Sequence, residues 1–120
     1  MTTAIVVRFE ESVNGTLDAL RRRGRVSYAA ITRQDAKGWP EGGWHPAERV
    51  SPLDALKMFS TDVAYAAFEE TERGAIKAGM RADLTVMSQD PTTVPPADLL
   101  KTTILMTMVG GRVVHEAAPR

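Results

Sequence analysis

The stretch TILMTMVGGRVVHE, residues 103 to 116, constrains the fold more than any other feature of the chain. Two apolar runs flank Gly110 and Gly111, and both glycines tolerate positive φ, the backbone requirement of a type I′ connection. The pattern predicts a β-hairpin closed by those two residues. An isolated hairpin is marginal in water, so other elements must cover it and extend its edges.

The chain of 120 residues has room for one domain. It falls well short of the roughly 250 residues that a (β/α)8 barrel needs. Fifteen basic and fifteen acidic side chains cancel, so no global field favours nucleic acid or a membrane surface as partner. The absence of cysteine excludes disulfides, thiolate nucleophiles and zinc–thiolate sites, and it fits a reducing compartment. The opening MTTAIVVRFEES carries too short an apolar run for a secretion signal, and no stretch approaches membrane-spanning length. These features lead us to expect a soluble, cytoplasmic protein.

Residues 3 to 9, TAIVVRF, have the β-branched content of a strand, broken by the polar and turn residues from Glu10 to Gly15. A short helix is expected from Thr16, ending at Gly24, with Arg21, Arg22, Arg23 and Arg25 as a solvated helix end. The segment 34–50, QDAKGWPEGGWHPAERV, holds three glycines, two prolines, both tryptophans and His45, which excludes regular structure. Its tryptophans predict a loop that packs rather than a disordered one.

Ser51 is placed to cap a helix, with Pro52 at its first position and Asp54 as a carboxylate variant of the capping box. Leu53, Leu56 and Phe59 fall on one face of that helix. Ser60 or Thr61 can cap a second helix over TDVAYAAFEE, whose expected buried stripe is Val63, Ala64, Ala67 and Phe68. The pair has a helix-turn-helix outline without the basic lining a DNA-binding version needs. Beyond Gly74 the period changes: a strand is expected around Ile76, a turn at Gly79 and a second strand from Asp83 to Met87. Pro91 and the Pro95–Pro96 pair then interrupt regular structure before the hairpin.

Candidate chemistry is sparse. His45 and His115 lie far apart in sequence, and a lone imidazole without a partner at ligand spacing is read first as an ordinary side chain. His45 is expected to pack against Trp44, and His115 to sit as a solvated residue near the edge. Glu69, Glu70 and Glu72 read as a solvated helix end rather than an acid–base pair. Ser12, Ser27, Ser51, Ser60 and Ser88 lack a glycine-flanked elbow, and GWPEGGW lacks the strand-to-helix setting of a phosphate cradle.

Five pieces in order carry a resemblance: the 51–59 helix, the A-Y-A-A helix, G-A-I-K-A-G-M-R-A-D-L, the D-P-T-T-V-P-P turn, and the V-G-G-R-V-V-H-E hairpin. Together they closely resemble the carboxyl-terminal end of metal-dependent amidohydrolases, in the branch that includes N-substituted formamide deformylases. The likeness runs from Tyr28 to Glu116 and fades upstream, where residues 1–27 stay unassigned and could be unrelated sequence. It implies a metal-bearing (β/α)8 barrel with a companion β-sandwich built from both ends of a longer chain. The expected organisation is then a loop region from the end of the barrel at 28–50, carboxyl-terminal helices at 51–72 and a partial β-sandwich at 73–120. The fold class is α+β, two short helices beside a small, mostly antiparallel sheet. The hairpin's partners are expected to be strands from a segment that this sequence lacks.

The resemblance also implies a divalent, zinc-like ion held by an H-x-H pair, further histidines, a lysine and a late aspartate in full-length members. This chain has no H-x-H pair, so the expectation is no catalytic residue, no metal ligand and no cofactor of its own. Asp83 becomes a turn residue that satisfies backbone amides at the strand entry. Trp44 and His45 remain as substrate-loop contacts. The expected partner is the missing barrel portion on another chain, or a second copy through the exposed sheet edge.

Overall fold

A computed structural model describes residues 5–7 and 24–118. The other readings of the first 23 residues, including the helix from Thr16 and the arginines at 21–23, lie outside the described residues. Helix α1 occupies 24–32, α2 Pro52–Met58, α3 Thr61–Ala66 and α4 Pro96–Leu99. Strands β1 (Ile5–Val7), β2 (Leu84–Met87), β3 (Ile104–Val109) and β4 (Arg112–Glu116) form one antiparallel sheet in that order. The chain is thus α+β.

The hairpin forms as the glycine pair demands. Gly110 and Gly111 adopt φ of 55° and 80°, and Val109 pairs with Arg112 to close it. Its expected dependence on strands from elsewhere is corrected in part, because β2 of the same chain pairs with β3 and β1 pairs with β2. An edge strand's unpaired backbone groups are met by whichever strand lies alongside, and chain topology supplies two here.

Three further expectations change. Gly24 does not end a helix; it is helical, and α1 runs on to residue 32, because the apolar spacing of Tyr28 and Ile31 buries one face. No strand forms around Ile76, which is largely exposed. Gly74 at φ 103° turns the chain away, and the Arg81 amide donates to the Glu72 carbonyl at 2.8 Å, folding the segment into a loop. Phe68 does not join the buried stripe of α3; the helix stops at Ala66 and Phe68 stands at φ 59°, 91% exposed.

Capping chemistry explains the start of α2. Ser51 Oγ accepts the Asp54 amide at 3.1 Å and donates its own proton to Asp54 Oδ2 at 2.7 Å. The reciprocal bond therefore closes on the hydroxyl rather than on the Ser51 backbone amide. Ser60 supplies no side-chain cap to α3, since its hydroxyl donates back to the Leu56 carbonyl at 2.9 Å. Pro95 and Pro96 open the single turn of α4, where proline's fixed φ suits a helix start.

The core is small: Ile31, Ala55 and Leu99, flanked by Val50 and Val94. It lies between the helices and one sheet face. On that face Thr85 of β2 sits directly opposite Thr107 of β3, both almost fully buried. The alternate residues, Leu84 and Val86 opposite Met108 and Met106, place four apolar side chains on the other face, each half-buried.

Candidate functional site

Two polar centres and one cavity stand out among the described residues. The first is the loop from 33 to 50. Arg33 ends α1 in the left-handed region, at φ 60°, a position glycine usually takes at a helix end. Local contacts hold it there: its Nε donates to the Trp44 carbonyl at 3.0 Å, and its carbonyl accepts the Trp44 amide at 2.9 Å. Its guanidinium lies 5.3 Å from the centre of the Trp44 ring, and Nη2 is 3.6 Å from Glu48.

His45 stands edge-on to Trp44, with ring centres 4.2 Å apart. The expected contact between the two is therefore present. His45 itself adopts φ 47° and is exposed. The expectation that the tryptophans pack the loop against something is corrected: Trp39 and Trp44 are 71% and 60% exposed, and hydrogen bonds within the loop hold it instead. Gln34 Nε2 donates to the carbonyls of Gly38 and Pro40, and Arg49 donates to that of Gly42. Asp35 Oδ1 accepts the amides of Lys37 and Trp39, and these bonds hold its carboxyl below the ordinary value. The result is a braced loop presenting an indole, an imidazole and a guanidinium together.

The second centre is buried and structural. Asp83 accepts the Gly110 amide at 2.8 Å and faces Arg73 Nη1 at 3.5 Å, while Arg73 Nε meets Glu69 at 3.1 Å. Asp83 and Arg73 are 3% and 4% exposed. Asp83 thus satisfies a backbone amide as expected, at the hairpin turn rather than beside its own strand entry. Sequence reading missed Arg73, because nothing in a lone arginine after an acidic run marks it as buried; likewise Glu69 is an ion-pair partner rather than part of a free solvated end.

The cavity, about 280 Å³, opens between α1, α2, α4 and the sheet and is lined by Ile31, Ala55, Phe59, Thr85, Met87 and Leu99 among others. His115 lies elsewhere, half-buried on β4 opposite Thr107. Among the described residues no three or more His, Cys, Asp or Glu side chains gather where they could hold a metal ion. The residues described therefore do not fit the catalytic ion that the resemblance implies. No helix among them is long and apolar enough to cross a membrane.

The loop with its aromatic and basic groups, the Ser51-capped α2 and the glycine-closed hairpin all fall within a stretch that matches a known family. A sequence model described as "Amidohydrolase family" matches residues 12–115, and the chain belongs to that family. The match begins at residue 12, which corrects in part the expectation that the likeness fades upstream of Tyr28: residues 12–27 fall within the family match and residues 1–11 outside it.

The chain is similar to the N-substituted formamide deformylase of Arthrobacter pascens, 32% identical over 91 residues, which is 76% of this chain and 16% of that protein. It is also similar to the putative amidohydrolase YtcJ of Bacillus subtilis (strain 168), 30% identical over 88 residues, covering 73% of this chain and 17% of the relative. The aligned portion is thus about one sixth of the length of these relatives.

Proposed function

We propose that this chain is the carboxyl-terminal portion of an amidohydrolase, by lineage a hydrolase of non-peptide C–N bonds, and catalytically incompetent by itself. Its helices and loop correspond to the end of the barrel, and its sheet to part of the companion β-sandwich. The observation that supports this most directly is the second sheet face. A sheet with water on one side alternates apolar and polar residues, whereas one covered on both sides reads as continuous apolar runs. Leu84, Val86, Met106 and Met108 make the face away from the core apolar, the signature of a sheet that expects a second layer. Trp44 and His45 are the residues we assign to substrate contact, and the ion would come from the barrel's own ligands. Lacking cysteine, the chain suits the cytoplasm.

The test is metal analysis and hydrolysis of an N-substituted formamide by the purified protein, alone and mixed with a histidine-rich barrel portion of a relative. Activity is expected only in the mixture. Near-stoichiometric metal with turnover by the isolated chain would overturn the proposal.

A second reading, self-association, is favoured by the outer edge of β4, which no described strand covers. A two-fold antiparallel pairing centred on Val114 would set Arg112 of each copy opposite Glu116 of the other. Light scattering would then report a dimer that Val114→Pro abolishes. A monomer would remove this reading.

A further inference from the structure

The cavity between the helices and the sheet has a lining that divides by depth. Its buried residues are apolar at Ile31, Ala55 and Leu99, and Thr85 adds no polar contact, because its hydroxyl is closed off. The charged residues, Arg25 and Lys101, are exposed, as is Thr103, and the half-buried Ser27 and Thr102 lie between these two groups. A dry cavity of about 150 Å³ accepts benzene, so one of about 280 Å³ has room for a short hydrocarbon chain.

The polar groups at the opening specify what such a chain should carry. Thr102 Oγ1 accepts from Gln89 Nε2 at 2.8 Å, and the same nitrogen donates to the Asp98 carbonyl at 2.6 Å. A carbonyl can only accept, which fixes the amide's orientation and leaves Thr102 with a proton to donate. Lys101 is neutralised by Asp98 at 2.8 Å, whereas Arg25 forms no ion pair among the described residues. A Cβ on Gly24 would lie 3.5 Å from the Leu99 carbonyl oxygen, so the segments that carry Arg25 and Thr102 meet at one end of the cavity. Among the described residues no Asp or Glu lines it. Spare donors, an unpaired cation and no carboxylate favour an anionic acceptor there.

We infer that this cavity is a binding site for a short-chain monocarboxylate, with its hydrocarbon tail against Ile31, Ala55 and Leu99 and its carboxylate on Arg25 and the Thr102 hydroxyl. Arginine suits that head group because its planar fork matches a carboxylate. The depth, the sign of the charge and the spare proton together specify this class, independently of the amidohydrolase assignment.

Hexanoate, hexanamide and hexylammonium share a tail and differ in the head group, so they test this directly. Isothermal titration calorimetry on the full chain at neutral pH is expected to show hexanoate binding about tenfold or more tighter than hexanamide, the ratio a hydrogen bond to a charged group supplies, and hexylammonium not binding. From acetate through butanoate to hexanoate the affinity is expected to rise about fourfold per methylene, as burial of the tail requires. Arg25→Gln, an exposed change, should bring hexanoate down to the affinity of hexanamide and leave hexanamide unchanged. Ala55→Leu fills the cavity and should abolish binding of both, with circular dichroism showing that the variant folds; the chain-length series tests tail burial without a core substitution. Acetate binding as tightly as hexanoate would mean surface ion pairing only and would overturn the inference. So would failure of the folded wild-type chain to bind hexanoate, equal affinities for hexanoate and hexanamide, or a carboxylate preference that survives Arg25→Gln. Metal content and amide hydrolysis play no part in these readouts, so this inference and the amidohydrolase proposal stand or fall separately.

Discussion

Removing the Asp83 carboxylate should cost more than any other single polar change in the described fold. Asp83→Ala deletes the acceptor of the Gly110 amide at 2.8 Å and one counter-ion of Arg73, whose side chain is 4% exposed. Stranding a buried charge by removing its partner typically costs about 3–5 kcal/mol. Glu69 stays at 3.1 Å from Arg73 Nε but is itself one-third exposed, so it offsets part of the loss, and about 3 kcal/mol is expected. For a chain of this length that corresponds to a fall in Tm of roughly 10 °C. Urea and thermal unfolding followed by circular dichroism measure it. Asp83→Asn keeps an acceptor oxygen for Gly110 while removing the charge, so it should fall between wild type and Asp83→Ala. The double variant Arg73→Met, Asp83→Ala no longer strands a charge and should be more stable than the sum of the singles by about 1–3 kcal/mol. A loss below about 0.5 kcal/mol in Asp83→Ala, a value typical of surface changes, would refute the reasoning, as would strict additivity in the double variant.

Ser51→Ala removes the cap of α2 and should lower stability by about 1 kcal/mol, seen as a shift in the urea midpoint without a change in slope. Gly43→Ala places a Cβ 2.4 Å from the Thr32 carbonyl oxygen at a φ of +85°, so the loop must move; a changed tryptophan emission spectrum and a stability loss above about 1 kcal/mol are expected. Asp90 accepts from the amide and hydroxyl of Thr92, which lowers its carboxyl below the ordinary 3.8. Its stabilising contribution is complete above that value and fades as pH falls through the lower folded one. Asp90→Asn should therefore flatten the acid limb of stability below about pH 4 and leave the slope at pH 6–8 unchanged, as measured by urea midpoints across pH.

Local chemistry was legible along the chain. A pair of glycines between apolar runs admits one kind of turn, and Ser51 before Pro52 admits one kind of helix start, because φ, hydroxyl reach and a missing N–H act within a few residues. The order of those pieces was enough to place the chain among amidohydrolases. His45 beside Trp44 could likewise be read from adjacency. Arg33 could not: it is eleven residues from Trp44, and only the folded loop brings its guanidinium over that ring.

The sequence by itself therefore determined the hairpin, the α2 cap and the family, each decided by short-range sterics or by a linear order of motifs. Tertiary structure alone decided that Ile76 leaves the sheet, that Phe68 turns outward and that Arg73 is buried against Asp83. It also decided that Thr85 and Thr107 are buried directly opposite each other across β2 and β3. Those outcomes depend on which surfaces meet across long stretches of chain, and burial is a property of the assembled neighbours rather than of the residue.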